Sequence, residues 1–331
     1  MTAAPTAETP GLRGTGTGPH RGKLMTMAEA VGSLLRDGDT LFLSGMQHGE
    51  PAAAVHEILR QGQRNLTLVP QLPEVGQLLL TESRVSVLKH AYTSALYPRR
   101  GYLAQLVAAR SAGLRIEEYS HGLLDLALAA GAQGLPYLPS LSGLGTDYGR
   151  VNPENIKTAS CPFTGAPLQL VSAIVPDLAI VHVQRADVLG NAQKLGSLGM
   201  DVNGAHAARR VIVVTEEVIS SDRIRETPEA TLIPGLIVDA VVHEPWGAYP
   251  QHLAGCYGSD VATFLRQVCD AESYERYRRE DVMGVADRRE LMELIARRHG
   301  ADHLNRLRAE ASHGRGPVLA GTPHGPGREA S

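Results

Sequence analysis

Aromatic side chains are scarce in this 331-residue sequence, at 4% with one Trp and three Phe. A core must therefore be assembled from Ala, Val, Leu and Ile. Cysteine is equally sparse. Cys161, Cys256 and Cys269 stand far apart and form no CxxC, which suits a reduced compartment and gives no zinc signature. There is no basic excess: the formal net charge is −3, which argues against nucleic acid as a partner. No apolar run approaches the ~20 residues that span a bilayer, so no membrane segment is expected. Residues 1–22 are mostly Thr, Gly, Pro and Ala with two arginines and no apolar signal core, and the expected location is the cytoplasm. The sequence also lacks HExxH, GxSxG and clustered Cys/His ligands, so metal and serine-hydrolase chemistry lose support. No metal site is expected.

What the chain does have is concentrated in residues 166–218. Three apolar runs of strand length, 168–175, 178–183 and 210–214, show no polar alternation. That pattern predicts strands buried on both faces of a helix-covered sheet. Between the second and third runs lies a polar stretch with Gly190, Asn191, Gly196 and Gly199, placed where it would leave the carboxyl edge of such a strand.

The rest alternates short strands and helices, which predicts an α/β fold: a layered, open, mostly parallel sheet with helices on both faces. Helical spacing is expected over 26–36 with Thr26 as cap, and a strand over 40–43. A loop over 44–51 then leads to a helix over 52–60 with Pro51 at its start and Gly62 at its stop. Further strands are expected at 66–69, 85–88, 114–118 and 236–242, and helices at 75–80, 101–112, 121–132, 260–268 and 290–298. Residues 140–164 are Gly/Pro/Asn-rich without periodicity and read as one long loop. The organisation expected is a disordered arm (1–22), one α/β domain (23–300), and a C-terminal helix end with a disordered tail (301–331).

The sharpest local feature is the loop Ser44-Gly45-Met46-Gln47-His48-Gly49 before Pro51. Glycines let backbone N–H groups approach a ligand, and the following helix start favours negative charge. A carboxylate, phosphate or thioester oxygen would suit it; a tight turn alone would need the same glycines. Gly190 and Asn191 form a second candidate, in which Asn191 hydrogen-bonds an amide or carboxylate, or simply closes an ordinary turn. Among the histidines, His56 and His182 fall on a helix and a buried strand and read as structural. His48 and His121 stand at strand-to-helix junctions and are the better candidates. Glu216-Glu217 would suit a catalytic carboxylate pair and Arg99-Arg100 an anionic ligand, but the default is an edge or interface ion pair for the first and a solvated charge pair for the second.

These same residues resemble the A (alpha) subunit of family I coenzyme A transferases, closest to the glutaconate CoA-transferase type, from about Met25 to Asp260. The likeness rests on Asp37-Gly38-Asp39 through Ser44-Gly45-Met46 to Pro51, then Glu57–Gly62 and Gly134–Pro139. It continues with Val181-His182-Val183-Gln184, Val213–Ile219, Ile233-Pro234-Gly235 and Pro245-Trp246-Gly247-Ala248. The family's Gly-Gly-Phe is here Ser44-Gly45-Met46, in a shortened loop. The resemblance implies transfer of CoA between carboxylic acids through a glutamyl-CoA thioester. In two-subunit members that glutamate lies in a Glu-Asn-Gly setting of the B subunit. The present chain has only Glu154-Asn155-Ile156, so a partner B (beta) subunit is implied, in an assembly of two A and two B chains. Coenzyme A is then a substrate and no cofactor is expected. The resemblance leaves two alternatives: a subunit that binds CoA esters without catalysis, and the A subunit of a ring-cleaving CoA-ester hydrolase. That hydrolase branch carries a catalytic glutamate near 120–122, where His121 would stand as general base.

Overall fold

The computed structural model describes residues 22–91 and 110–311. The expected helix over 101–112 falls mostly outside the described residues, as do Arg99 and Arg100.

The central strands of the main sheet are short apolar runs, whereas the edge strand at 115–118 is largely charged. In chain order the first elements are β1 (Leu24–Met25), α1 (Met27–Leu34), β2 (Thr40–Met46), α2 (Ala52–Gln61), β3 (Leu66–Leu72), α3 (Gln77–Thr81), β4 (Val85–His90) and β5 (Arg115–Glu118). Next come α4 (His121–Ala132), β6 (Tyr137–Ser140), α5 (Tyr148–Val151), β7 (Ile156–Ser160), β8 (Pro167–Ser172), β9 (Leu178–Ala186) and β10 (Ala192–Gln193). The chain continues through α6 (Asp201–Ala207), β11 (Arg210–Val218), α7 (Ser221–Arg225), β12 (Thr231–Ile233) and β13 (Ala240–His243). It ends on the helices α8 (Val261–Gln267), α9 (Ala271–Tyr277), α10 (Arg288–His299) and α11 (Ala301–Ala311). The helix boundaries follow local chemistry. Thr26 and Glu29 form a reciprocal capping box on α1, and Gly62 ends α2 in the left-handed region.

The main sheet runs β1-β13-β11-β9-β2-β3-β4-β5, and every pairing along that path is parallel. β10 adds an antiparallel edge between β9 and β12. β9 and the centre of β11 are buried throughout, as their unbroken apolar runs require. Leu41 and Leu43 point to one face, where α1, α2 and α3 pack; Phe42 points to the other, with α4 and α6. The expected layered, mostly parallel α/β architecture is therefore present.

Two expectations are corrected. Residues 140–164 are not one loop, since they contain α5 and β7. The run at 168–175 is not a strand of the main sheet either. β8 pairs antiparallel with β6 and β7 in a separate three-stranded sheet, and its burial alternates in period two. The sequence does not show that alternation: Gln169 shares the buried face with Val171, while Leu168 and Leu170 lie on the more exposed one.

A third small core gathers Trp246, Tyr249, Leu253 and Tyr257 against Leu291, Ile295 and Leu307 of α10 and α11. Trp246 stacks on Tyr257 at 4.5 Å between centroids, and Arg308 covers the indole at 5.1 Å. Here several of the scarce aromatics pin the segment after β13 against the C-terminal helices.

Candidate active site

Strand order locates the site. From β2 the chain progresses outward through β3, β4 and β5; from β9 it progresses the other way through β11 and β13. β2 and β9 are neighbours, so the sheet's direction of growth reverses between them. In open α/β sheets the crevice outside the carboxyl ends at that reversal is where ligands bind. Three segments meet there: the β2–α2 loop, residues 194–200 after β10, and residues 246–257 after β13.

The β2–α2 loop is packed from inside. Gly45 has φ 105°, and a Cβ there would lie 2.6 Å from the Glu50 Cα. Its N–H donates to Asp201 Oδ1 at 3.0 Å. Ser44, 1% exposed, accepts from the His182 N–H at 3.1 Å, which extends the β2–β9 ladder by one rung. The Gly49 N–H donates to the His252 carbonyl at 3.0 Å. His48 is held at both ring nitrogens: Nε2 accepts from the Ala254 N–H at 3.0 Å, so Nδ1 carries the proton and donates to the Ser197 carbonyl at 3.2 Å. Met46 and Gln47, the latter at φ 57°, form the partly exposed tip. His252 is exposed beside them and touches the His48 ring at 4.9 Å.

Three carboxylates stand in or near the segments that meet here, and each is held by donors within the chain. Asp201 accepts from Gly45, from the Gln71 amide and from the Lys194 ammonium, and the Lys194 and Asp201 side chains are each only 2% exposed. Glu50 accepts from the N–H groups of Glu74, Val75 and Gly76 at 3.0, 2.9 and 2.7 Å. Glu216 accepts from His182 Nε2 at 2.8 Å, Tyr257 Oη at 2.6 Å, and the N–H groups of Trp246 and Gly247 at 2.7 and 3.2 Å. Of these groups only Glu216 is singled out in the sequence, as half of the Glu216-Glu217 pair; Lys194 lies inside a glycine-rich stretch and Glu50 between glycine and proline, where neither stands out.

The remaining candidates lie elsewhere. Asn191 uses both ends of its amide within the chain: Nδ2 donates to Asp187 Oδ2 at 2.9 Å, and Oδ1 accepts from the Gly235 N–H at 2.9 Å. Gly190, at φ 94°, packs against Val238. That turn fixes the approach to β13. Of the glycines after β9, it is Gly196 and Gly199 that meet the β2 loop, packing on His48 and on Met46 with Gln71. His121 opens α4, where Ser120 caps the helix by accepting from the Leu123 N–H at 3.1 Å. It follows β5, three strands from β2, a sheet displacement of roughly 14 Å at ordinary strand spacing. His56 and His182 are buried and bonded within the chain: His56 Nε2 pairs with Tyr277 Oη at 2.8 Å, and His182 Nε2 with Glu216.

Burial and the nearby Lys194 hold His48 down at about 3, so it is neutral in the fold at every working pH. The unfolded chain protonates near 6.5, so this contribution to stability is complete above that value and is lost as pH falls from 6.5 toward 3. Burial pushes Glu50 and Glu244 up to about 7, which acts oppositely: they add stability as pH falls from 7 to 4.5. Burial likewise lowers His56 and His182, so three histidines oppose the two carboxyls, and the expected outcome is a shallow stability profile between about pH 7 and 4.5 and a fall below about 4.5. His48→Asn should flatten that fall by about 1.4 kcal/mol per pH unit, the weight of one proton. Urea midpoints measured at about pH 3.5, 4.5 and 6.5 check this, and an unchanged slope in the variant would contradict it.

Comparison with known proteins agrees with this geometry. The coenzyme A transferase family model matches residues 24–244. The A subunit of 3-oxoadipate CoA-transferase from Pseudomonas knackmussii is 35% identical over 281 residues, covering 83% of this chain and 98% of the relative. The crystal structure of glutaconate coenzyme A-transferase from Acidaminococcus fermentans superposes with a TM-score of 0.75 at 29% identity, covering 86% of this chain and 94% of that one. The cholesterol ring-cleaving hydrolase IpdA subunit of Rhodococcus jostii is 31% identical over 251 residues, covering 72% of this chain and 84% of the relative.

Proposed function

This chain belongs to the coenzyme A transferase family, and on that premise we propose that it is the A subunit of an acyl-CoA:carboxylate CoA-transferase that works with a separate B subunit. The observation that carries the two-chain reading is the state of the carboxylates at the crevice. Glu50, Asp201 and Glu216 are each enclosed by donors, so none of these three is placed to attack a thioester.

In this reading a glutamate of the partner supplies the nucleophile. Its carboxylate adds to the thioester carbonyl and expels the CoA thiolate, leaving an acyl–glutamyl anhydride. The thiolate then attacks the glutamyl carbonyl, releasing the first acid and forming the glutamyl-CoA thioester. A second carboxylate repeats the sequence in reverse and leaves as its CoA ester. The tip at Met46 and Gln47, with Ser44, Gly45, His48 and Gly49 behind it, forms this chain's wall of the shared pocket. CoA enters as a substrate, no further cofactor takes part, and the reaction belongs to the cytoplasm. The assembly is two A and two B chains.

The two transferases compared above are named for 3-oxoadipate and glutaconate, both dicarboxylic acids, so monothioesters of diacids are the first acyl class to test. Co-expression with a B-type chain should give a stable complex that moves CoA from glutaryl-CoA to acetate. The single chain alone should bind but not transfer. Full transfer by the single chain would refute the partner requirement. Hydrolysis of a ring carbon–carbon bond in a cyclic acyl-CoA, with the thioester left intact, would favour the hydrolase, and His121→Ala then tests the base: a loss well below ~100-fold removes it from that role.

A further inference from the structure

Glu50 does more than fill space behind the loop. It is 1% exposed, and its carboxylate takes three consecutive backbone N–H groups, from Glu74, Val75 and Gly76, in the segment that joins β3 to α3. Its own N–H donates to Gln251 Oε1 at 3.0 Å, in the segment after β13. Its backbone is the surface against which Gly45 closes, and Gly76 has no room for a Cβ, which would come 2.8 Å from Glu50 Oε1. One residue thus touches all three of β2–α2, β3–α3 and the post-β13 segment. A second buried carboxyl, Glu74, lies close enough to raise the cost of its charge. A buried carboxylate is an expensive filler, since an apolar side chain of similar volume is commonly neutral or stabilising. What a carboxylate adds is direction: two oxygens that fix three amides of a neighbouring loop.

We infer that Glu50 is a positioning residue that locks the β2–α2 and β3–α3 loops into one rigid unit and thereby sets where the Met46–Gln47 tip stands in the crevice. The kinetic part of this inference rests on the transferase reading; the structural part does not. Glu50→Gln keeps the shape but replaces one acceptor oxygen with an NH2 that faces a backbone N–H, so at least one of the three bonds is lost. Gly76→Ala attacks the same contact from the other loop.

The test has two arms. In the chain itself, hydrogen exchange should rise about tenfold or more at amides 74–76 and also at 46–48 in both variants, with the global unfolding midpoint little changed. In the complex with a B-type chain, kcat for glutaryl-CoA with acetate should fall about tenfold or more while KM moves less than about threefold. The double variant should lose no more than the worse single one, because both break one contact. Faster exchange confined to 74–76 would overturn the coupling. So would a fall in activity that only follows a fall in unfolding midpoint, or additive losses in the double variant. If the wild-type complex transfers no CoA, the functional reading fails while the exchange arm still decides the coupling. For a variant that does not fold, Glu50→Asp, one methylene too short to hold all three amides, replaces it with the same expectation.

Discussion

Replacement of Asp201 by alanine is expected to cost about 3–5 kcal/mol of stability, the penalty for leaving a buried charge without its partner. Lys194 is 4% exposed and has Asp201 as its ion-pair partner. The same carboxylate takes the Gly45 N–H and the Gln71 amide, and Gln71 in turn accepts from the Met200 N–H at 2.6 Å. One truncation therefore strands an ammonium, a backbone donor and a side-chain donor in a site with no solvent to replace them. A fall of roughly 10 °C in the thermal midpoint is expected for a chain of this size. The companion variant makes the cause testable. Asp201→Ala with Lys194→Met removes both charges and should recover most of the loss, because a buried ion pair exchanged for apolar side chains is commonly near neutral. If the double variant is as unstable as the single one, the damage comes from packing and not from the orphaned charge.

Gly45→Ala is the change expected to hurt activity most. At φ 105° any side chain is strained, and this one would also drive its Cβ to 2.6, 2.7 and 2.9 Å from the Cα, N and Cβ of Glu50. Two of those atoms are backbone, so relief requires the loop to move, and the loop carries the Met46–Gln47 tip. A displacement of about 1 Å at a catalytic wall commonly costs about 100-fold, and a loss of that order in kcat/KM is expected for the complex with its B-type partner. Gly113→Ala is the matched control. Its φ is 103°, but nothing among the described residues lies within 4 Å of the added carbon, and it sits before β5, away from the carboxyl edge. It should share the backbone strain and keep full activity. Equal activity losses in the two variants would show that strain alone, not the clash with Glu50, is responsible.

Much of the architecture is legible in the residues. The unbroken apolar runs of β9 and β11 announce strands covered on both faces, because a parallel sheet between helix layers leaves no polar side to alternate with. Thr26 and Glu29 mark the start of α1, and Gly62 the end of α2, because caps are local chemistry. The glycine loop before Pro51 is recognisable for the same reason, and its likeness to the transferase pattern identifies the family. The apolar run containing β8 points to the wrong sheet, because a short mixed pattern does not state which partner it will find.

The sequence by itself determined the layered α/β class, the family, and the existence of a glycine-bearing loop ahead of Pro51. Only the tertiary structure decided which groups face that loop. Asn191 closes its own turn, while Gly196 and Gly199 meet the loop. Glu50, Lys194 and Asp201, which are separated by up to 151 positions in the chain (201 less 50), hold it in place. Strand propensity and capping are short-range and are written within a few residues. The burial of a charge is set by elements that come together only when β2 and β9 pair, and no local pattern records that meeting.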